Sequence, residues 1–169
     1  MAENILLKAR IKSMAMADPI TEAAGLATAV WTDLPLTLRD DEVSIIDQDP
    51  EESEVFSHEN DVAEDYDIVG TGTTVQGSFI KIGYDELVTL LGGTKVGTSP
   101  NEKFHRSGMR ALFNKALKFT LKDDSTIILV NVKGFVQSSL SIGFGGVQKF
   151  PFRFKVLPGA SEWNVDIIW

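Results

Sequence analysis

The sequence predicts a mainly β fold: an antiparallel β-sandwich or partly closed β-barrel, with one short α-helix packed against it and a long acidic loop or arm. Three observations predict it. Several short stretches alternate apolar and polar residues with period two, the mark of strands with one wet face. Only one stretch, Tyr84–Leu91, has unambiguous helical spacing closed by a helix stop. No strand–helix–strand alternation occurs, so a parallel doubly wound sheet is excluded in favour of antiparallel layers.

In chain order, residues 4–12 alternate Leu7, Ala9 and Ile11 against Lys8, Arg10 and Lys12, which reads as a strand. Charges at these positions without an apolar run behind them argue against a signal peptide. Asp18-Pro19 and Gly25 interrupt the next stretch, so a connection is expected there, with a short strand reaching Trp31. Leu36–Leu38 and Val43–Ile46 read as two further short strands.

From Asp47 to Thr73 the apolar periodicity fades, Asp49-Pro50 breaks regular structure, and Gly70 and Gly72 close the segment. Such length without structure of its own is unusual inside a compact domain and is commonly functional. Val55, Phe56, Tyr66, Ile68 and Val69 are dispersed through it. A solvated acidic tail would lack such anchors, so an arm that orders against a partner is expected.

Val75–Ile82 returns to strand. Tyr84, Leu87, Val88 and Leu91 then fall at i, i+3, i+4 and i+7, with Asp85 and Glu86 at the positive helix start and Gly92-Gly93 as the stop. Around residues 107–117, Met109, Leu112, Phe113, Ala116 and Leu117 have helical spacing with Ser107 as a cap, while Leu117, Phe119 and Leu121 alternate as a strand. A short helix or irregular turn feeding a strand near Lys115 is expected. The rest reads as a meander: Ala116–Lys122, a turn at Asp123-Asp124, Ser125–Lys133, a third strand over Gly134–Gly143, a turn at Gly145-Gly146, then Lys149–Leu157. In the last, Phe150, Phe152, Phe154 and Val156 share one face, and Pro151 predicts an edge strand or a bulge. Pro158-Gly159 ends it, and Val165–Trp169 is read as a terminal strand. The count is about eight strands in one domain, 1–169, with 47–73 as its loop or arm.

Charge is segregated. The formal net charge is −8, yet 13 of the 24 acidic residues lie between Asp40 and Asp67, where no Lys or Arg occurs. The remainder holds 11 acids against 16 bases, a net of +5. A basic nucleic-acid-binding surface is therefore not the dominant feature. No apolar run approaches the roughly 18 residues that span a bilayer, so no membrane partner is expected.

Residues for catalysis are scarce. Cysteine is absent, which removes disulfides and thiolate chemistry. His58 lies in the acidic segment beside Glu59, and His105 lies among Lys103, Phe104 and Arg106. Neither has the surroundings of a general base or a metal ligand set, and both read as polar surface residues. There is no Gly-x-Ser-x-Gly elbow. Gly70-Thr71-Gly72 begins a dinucleotide pattern, but Val75 occupies its last glycine position. Asp47, Asp49, Glu51, Glu52 and Glu54 could gather oxygen ligands for calcium, but the EF-hand order is missing and Pro50 stiffens the loop. The expectation is a non-enzyme with no catalytic, cofactor or metal residues.

The order of parts supplies a resemblance. Glu42–Asp47 runs into the acidic stretch, Val75–Ile80 precedes Tyr84–Gly93, and Phe119–Asp124, Ile127–Lys133 and Phe152–Pro158 close the chain. From about Glu42 to Pro158 this resembles the major tail tube proteins of long-tailed phages, a family related to the inner tubes of contractile injection and secretion systems. The resemblance implies a virion structural protein made in the host cytoplasm and carried in the tail. It implies self-association into six-fold rings stacked as a conduit, contact with other tail proteins, and DNA passing through the lumen without specific binding. It also implies a role for the 47–73 segment as an inter-subunit arm, anchored by Val55, Phe56, His58, Tyr66 and Ile68. Its carboxylates, Asp47, Asp49, Glu51, Glu52, Glu54, Glu59, Asp61, Glu64 and Asp65, would face a neighbour or the lumen. An injection-system tube is the nearest alternative. A carbohydrate-binding or calcium-stabilised β-sandwich is the alternative of another class.

Overall fold

A computed structural model describes residues 10–56, 58, 63–70, 72–160 and 162–169, with the side chains of Ala63, Glu64 and Tyr66 outside that description. The protein is mainly β: a curled antiparallel sheet forms a half-barrel, accompanied by two short helices. Among the described residues the sheet has nine strands. Along its main path lie β2 (Thr32–Asp33), β1 (Ile11–Ala17), β10 (Phe113–Leu121), β11 (Thr126–Val136), β12 (Phe150–Leu157), β7 (Thr73–Ile80) and β3 (Leu36–Thr37). Off this path, β4 (Ser44–Asp47) pairs with β7 and β13 (Ile167–Ile168) pairs with β11. Two separate ribbons complete the strands, β5 (Glu51–Phe56) with β6 (Ala63–Val69), and β8 (Gly93–Val96) with β9 (Lys103–Arg106).

Period-two patterning explains the central strands. In β12 the phenylalanines 150, 152 and 154 and Val156 are buried while Arg153 and Lys155 are exposed. Their face meets Val75 and Phe79 of β7, Phe113, Leu117 and Phe119 of β10, and Leu129, Val132 and Val136 of β11. Aromatic stacking ties these strands together: Phe79 lies 4.5 Å from Phe152, and Phe113 lies 4.6 Å from Phe154. Each such buried side chain stabilises the fold by about 1.5–3 kcal/mol through removal of apolar area from water. A smaller cluster of Ala17, Ile20, Ala116 and Val130, bordered by Trp31 and Trp163, is separate from this core.

Helix α2 (Tyr84–Leu91) has the predicted limits. The Gly83 N–H donates to Glu86 Oε2 at 2.8 Å, satisfying one of the open donors at the helix start. Its buried stripe is Leu87, Leu90 and Leu91, whereas Tyr84 is exposed, so the inward face is rotated from the predicted one. Gly92 takes a φ of 72° and donates to the Val88 carbonyl, ending the helix. At Gly93 a Cβ would stand 2.4 Å from the His105 carbonyl, so the second glycine lets β9 lie against the helix end.

Several expectations are corrected. The first predicted strand falls mostly on residues outside the described ones, and β1 continues it to Ala17. The connection before Trp31 contains helix α1 (Ala23–Thr28), none of whose residues is buried. Its alanines have high helix propensity, but Gly25 and the lack of an apolar stripe hid it. No helix forms over 107–112: Ser107 Oγ accepts from the Met109 N–H in a local turn, and β10 begins at Phe113. The third meander strand is not separate, because β11 runs unbroken through Gly134 to Val136. Pro151 is not on an edge, since β12 lies between β11 and β7. Its carbonyl accepts from the Gln137 N–H just past the end of β11, so the missing proline donor faces a place where the ladder is already ending.

Candidate functional site

The acidic segment is not an irregular loop. Strand β4 enters it paired with β7, Asp47 opposite Thr73, and the Gln48 N–H donates to the Gly72 carbonyl at 3.0 Å. The Thr73 hydroxyl, itself buried, donates to the Asp47 carboxylate. Beyond this stem the chain continues as the β5–β6 hairpin. Pro50, which lacks an amide donor, and Gly72, with a φ of 85°, interrupt the ladder between stem and arm. Period-two patterning was hidden here because both faces of the hairpin are wet, so neither needs to be apolar.

The register places five acidic residues of the arm opposite non-acidic ones: Glu51 faces Val69, Glu52 faces Ile68, Asp67 faces Ser53, Glu54 faces Tyr66 and Asp65 faces Val55. Directly opposed like charges, which destabilise a strand pair, are avoided. Along β5 the pleat sets Glu51, Ser53 and Val55 on one face and Glu52, Glu54 and Phe56 on the other. Val55, Phe56, Ile68 and Val69 are all more than half exposed. The principal contacts of β5 and β6 are with each other. A lone two-stranded hairpin is marginal in water.

The predicted arm residues thus share one hairpin. Asp47 sits at its stem and Asp49 just beyond, Glu51, Glu52, Glu54, Val55 and Phe56 lie on β5, and Asp65 and Ile68 lie on β6. His58 is exposed in the turn. Glu59 and Asp61 fall outside the described residues, as do the side chains of Glu64 and Tyr66. Among the described residues no three His, Asp or Glu side chains gather in a metal-binding group. Likewise no helix among them is long and apolar enough to cross a membrane.

The opposite end of the sheet carries a second surface that sequence reasoning missed. There α2, the β8–β9 ribbon and residues 107–112 follow from β7 and lead into β10. Lys103, His105 and Arg106 stand on β9, with Arg106 Nη1 donating to Ser138 Oγ at 3.0 Å. Arg110 lies over the Phe135 ring at 5.5 Å. Alongside runs the loop 137–148, twelve residues without one charge. Leu140, Ile142, Phe144 and Val147 in it are exposed, Ile142 at 97% of its full area. Its alternation had suggested a strand; the legible signal was an apolar alternation lacking the charges that a wet face carries.

One ion pair pins the arm-bearing edge. The Asp41 carboxylate accepts from Lys149 Nζ and from Ser78 Oγ, each at 2.8 Å. The Lys149 hydrogen bond foremost, then that of Ser78, holds Asp41 below the ordinary carboxylate range. A depressed folded value means stability that is present above the unfolded pKa and lost as pH falls through the folded one. Asp41→Asn is therefore expected to flatten the acid limb of the stability curve below about pH 4, checked by thermal melts of both proteins through that range.

No protein-family model matches the chain, and no curated protein matches it.

Proposed function

We propose that this chain is a structural subunit that assembles with copies of itself into the wall of a phage-type tail tube. The observation that carries the reading is the pairing of a curled antiparallel sheet with a long ribbon that the sheet does not cover. That ribbon holds exposed Val55, Phe56, Ile68 and Val69 among carboxylates. Apolar side chains on a marginal hairpin are stabilised by burial against a partner, and a chain with copies of itself has one at hand. The order of strand, Gly-Gly-terminated helix and closing meander supports the same reading through its resemblance to tail tube proteins.

In such a tube the protein does no chemistry. Its task is to hold a lumen open and let DNA pass. Carboxylates that reach the lumen wall would repel phosphates and keep the polyanion from adhering. Purified protein, concentrated and viewed by negative-stain electron microscopy, is expected to show rings or tubes of uniform width. A population that stays monomeric at every concentration, and in the presence of other tail proteins, would overturn the reading.

A further inference from the structure

We infer, resting on that reading, that the acidic hairpin of one copy docks head to tail on the opposite end of a second copy, against the loop 137–148 and its flanking cations Lys103, Arg106 and Arg110. The register fixes the two places. The arm leaves the sheet where Asp47 meets Thr73, whereas Lys103 and Arg106 lie past the point where Phe79 meets Phe150, and Arg110 reaches back over Phe135. From Thr73 to Ile80, β7 separates them by about 24 Å at the usual strand rise. The two surfaces thus lie at opposite ends of one molecule.

They match in two independent respects. The arm strands β5 and β6 carry Glu51, Glu52, Glu54, Glu64, Asp65 and Asp67 and no base. From Tyr84 to Leu112 the receiving end holds four bases, Lys95, Lys103, Arg106 and Arg110, against Asp85, Glu86 and Glu102, a local net of +1. Lys95 is occupied, bonded to Asp85 at 2.8 Å and near Glu102 at 3.5 Å. Among the described residues, Lys103, Arg106 and Arg110 make no ion pair with a carboxylate, which leaves their charge for a partner. Apolar groups match as well: Phe56 and Ile68 on one arm face meet a chargeless loop bearing Leu140, Ile142 and Phe144.

Because the two surfaces differ, the contact is heterologous. It propagates with a direction, closing into a ring if the rotation allows and otherwise growing as a filament. Opposite charges steer the encounter and set register, while the apolar groups supply the burial.

The test uses two charge-reversed chains in sedimentation velocity at low salt, with circular dichroism melts verifying the fold of each. The arm variant carries Glu51→Lys, Glu52→Lys and Glu54→Lys; the end variant carries Lys103→Glu, Arg106→Glu and Arg110→Glu. Alone, each sets like charge against like, and the concentration for half-assembly is expected to rise about tenfold or more. Mixed one to one, both contacts become complementary and alternating assembly is expected to return. Ile142→Ser with Phe144→Ser should weaken assembly with little change in its salt dependence. Folded variants that assemble as the native chain does, or a mixture that stays dissociated, would overturn the docking while leaving the tube reading intact. A native chain that never assembles would overturn both.

Discussion

Phe154→Ala is expected to destabilise the protein by about 3–5 kcal/mol, the range for emptying a well-packed aromatic site. Phe154 has no exposed surface, and its ring stacks on Phe113 at 4.6 Å and on Phe152 at 5.1 Å. Its strand, β12, lies between β11 and β7, so the rings above and below cannot collapse into the space without breaking sheet register. A domain of this kind has about 5–15 kcal/mol in total, so the variant should lose a large share of it. Phe135→Ala is the control. Phe135 is 37% exposed on the other face of β11, and its main partner is Arg110. Equilibrium urea unfolding of both variants reads the difference. If Phe135→Ala cost as much, the core would not lie between these strands as described.

The same residues explain how far the sequence alone could be read. Phe150, Phe152 and Phe154 alternate with Pro151, Arg153 and Lys155, and that alternation is written directly into the chain by the need to keep one face dry. Helix α2 was equally legible, because its stop depends on Gly92 and Gly93, which few other residues could replace. Where both faces are wet, the code vanishes. Strands β5 and β6 show no periodicity since nothing in their own molecule demands it, and α1 half-buries only Leu26 against the smaller cluster, too little to impose a stripe. The β8–β9 ribbon was invisible for a related reason: its pairing is set by Gly93 approaching His105, a contact across the ribbon.

The arm was legible as a charge anomaly before it was legible as a hairpin. Thirteen acids in one segment are visible in any reading of the chain. Its complement was not. Lys103, Arg106 and Arg110 lie close in sequence, but their neighbour, the loop 137–148, joins them only through the fold, by way of Arg106 with Ser138 and Arg110 with Phe135. Composition located one half of the match, and sheet register was needed to find the other.

Gly134→Val sets two of these effects against each other. Valine has the better strand propensity, a gain bounded at about 1 kcal/mol, and Gly134 lies within β11, where glycine is ordinarily a weakness. Packing opposes the change. Gly134 pairs with Phe113 on one side and Phe154 on the other, and the two rings close over the space its missing side chain leaves. A Cβ there would stand 2.2 Å from the Arg153 carbonyl oxygen and 2.9 Å from the Phe154 Cα. Both are backbone atoms, so relief requires β11 and β12 to part. That cost, about 3 kcal/mol or more, exceeds the propensity gain, so the variant is expected to unfold at markedly lower urea. Gly108→Ala, where an added Cβ meets nothing within 4 Å, should change stability by no more than about 0.5 kcal/mol. If Gly134→Val proved as stable as the native chain, the aromatic closure over β11 would be wrong, and with it the reason that β11 runs on through a glycine that the sequence marks as an end.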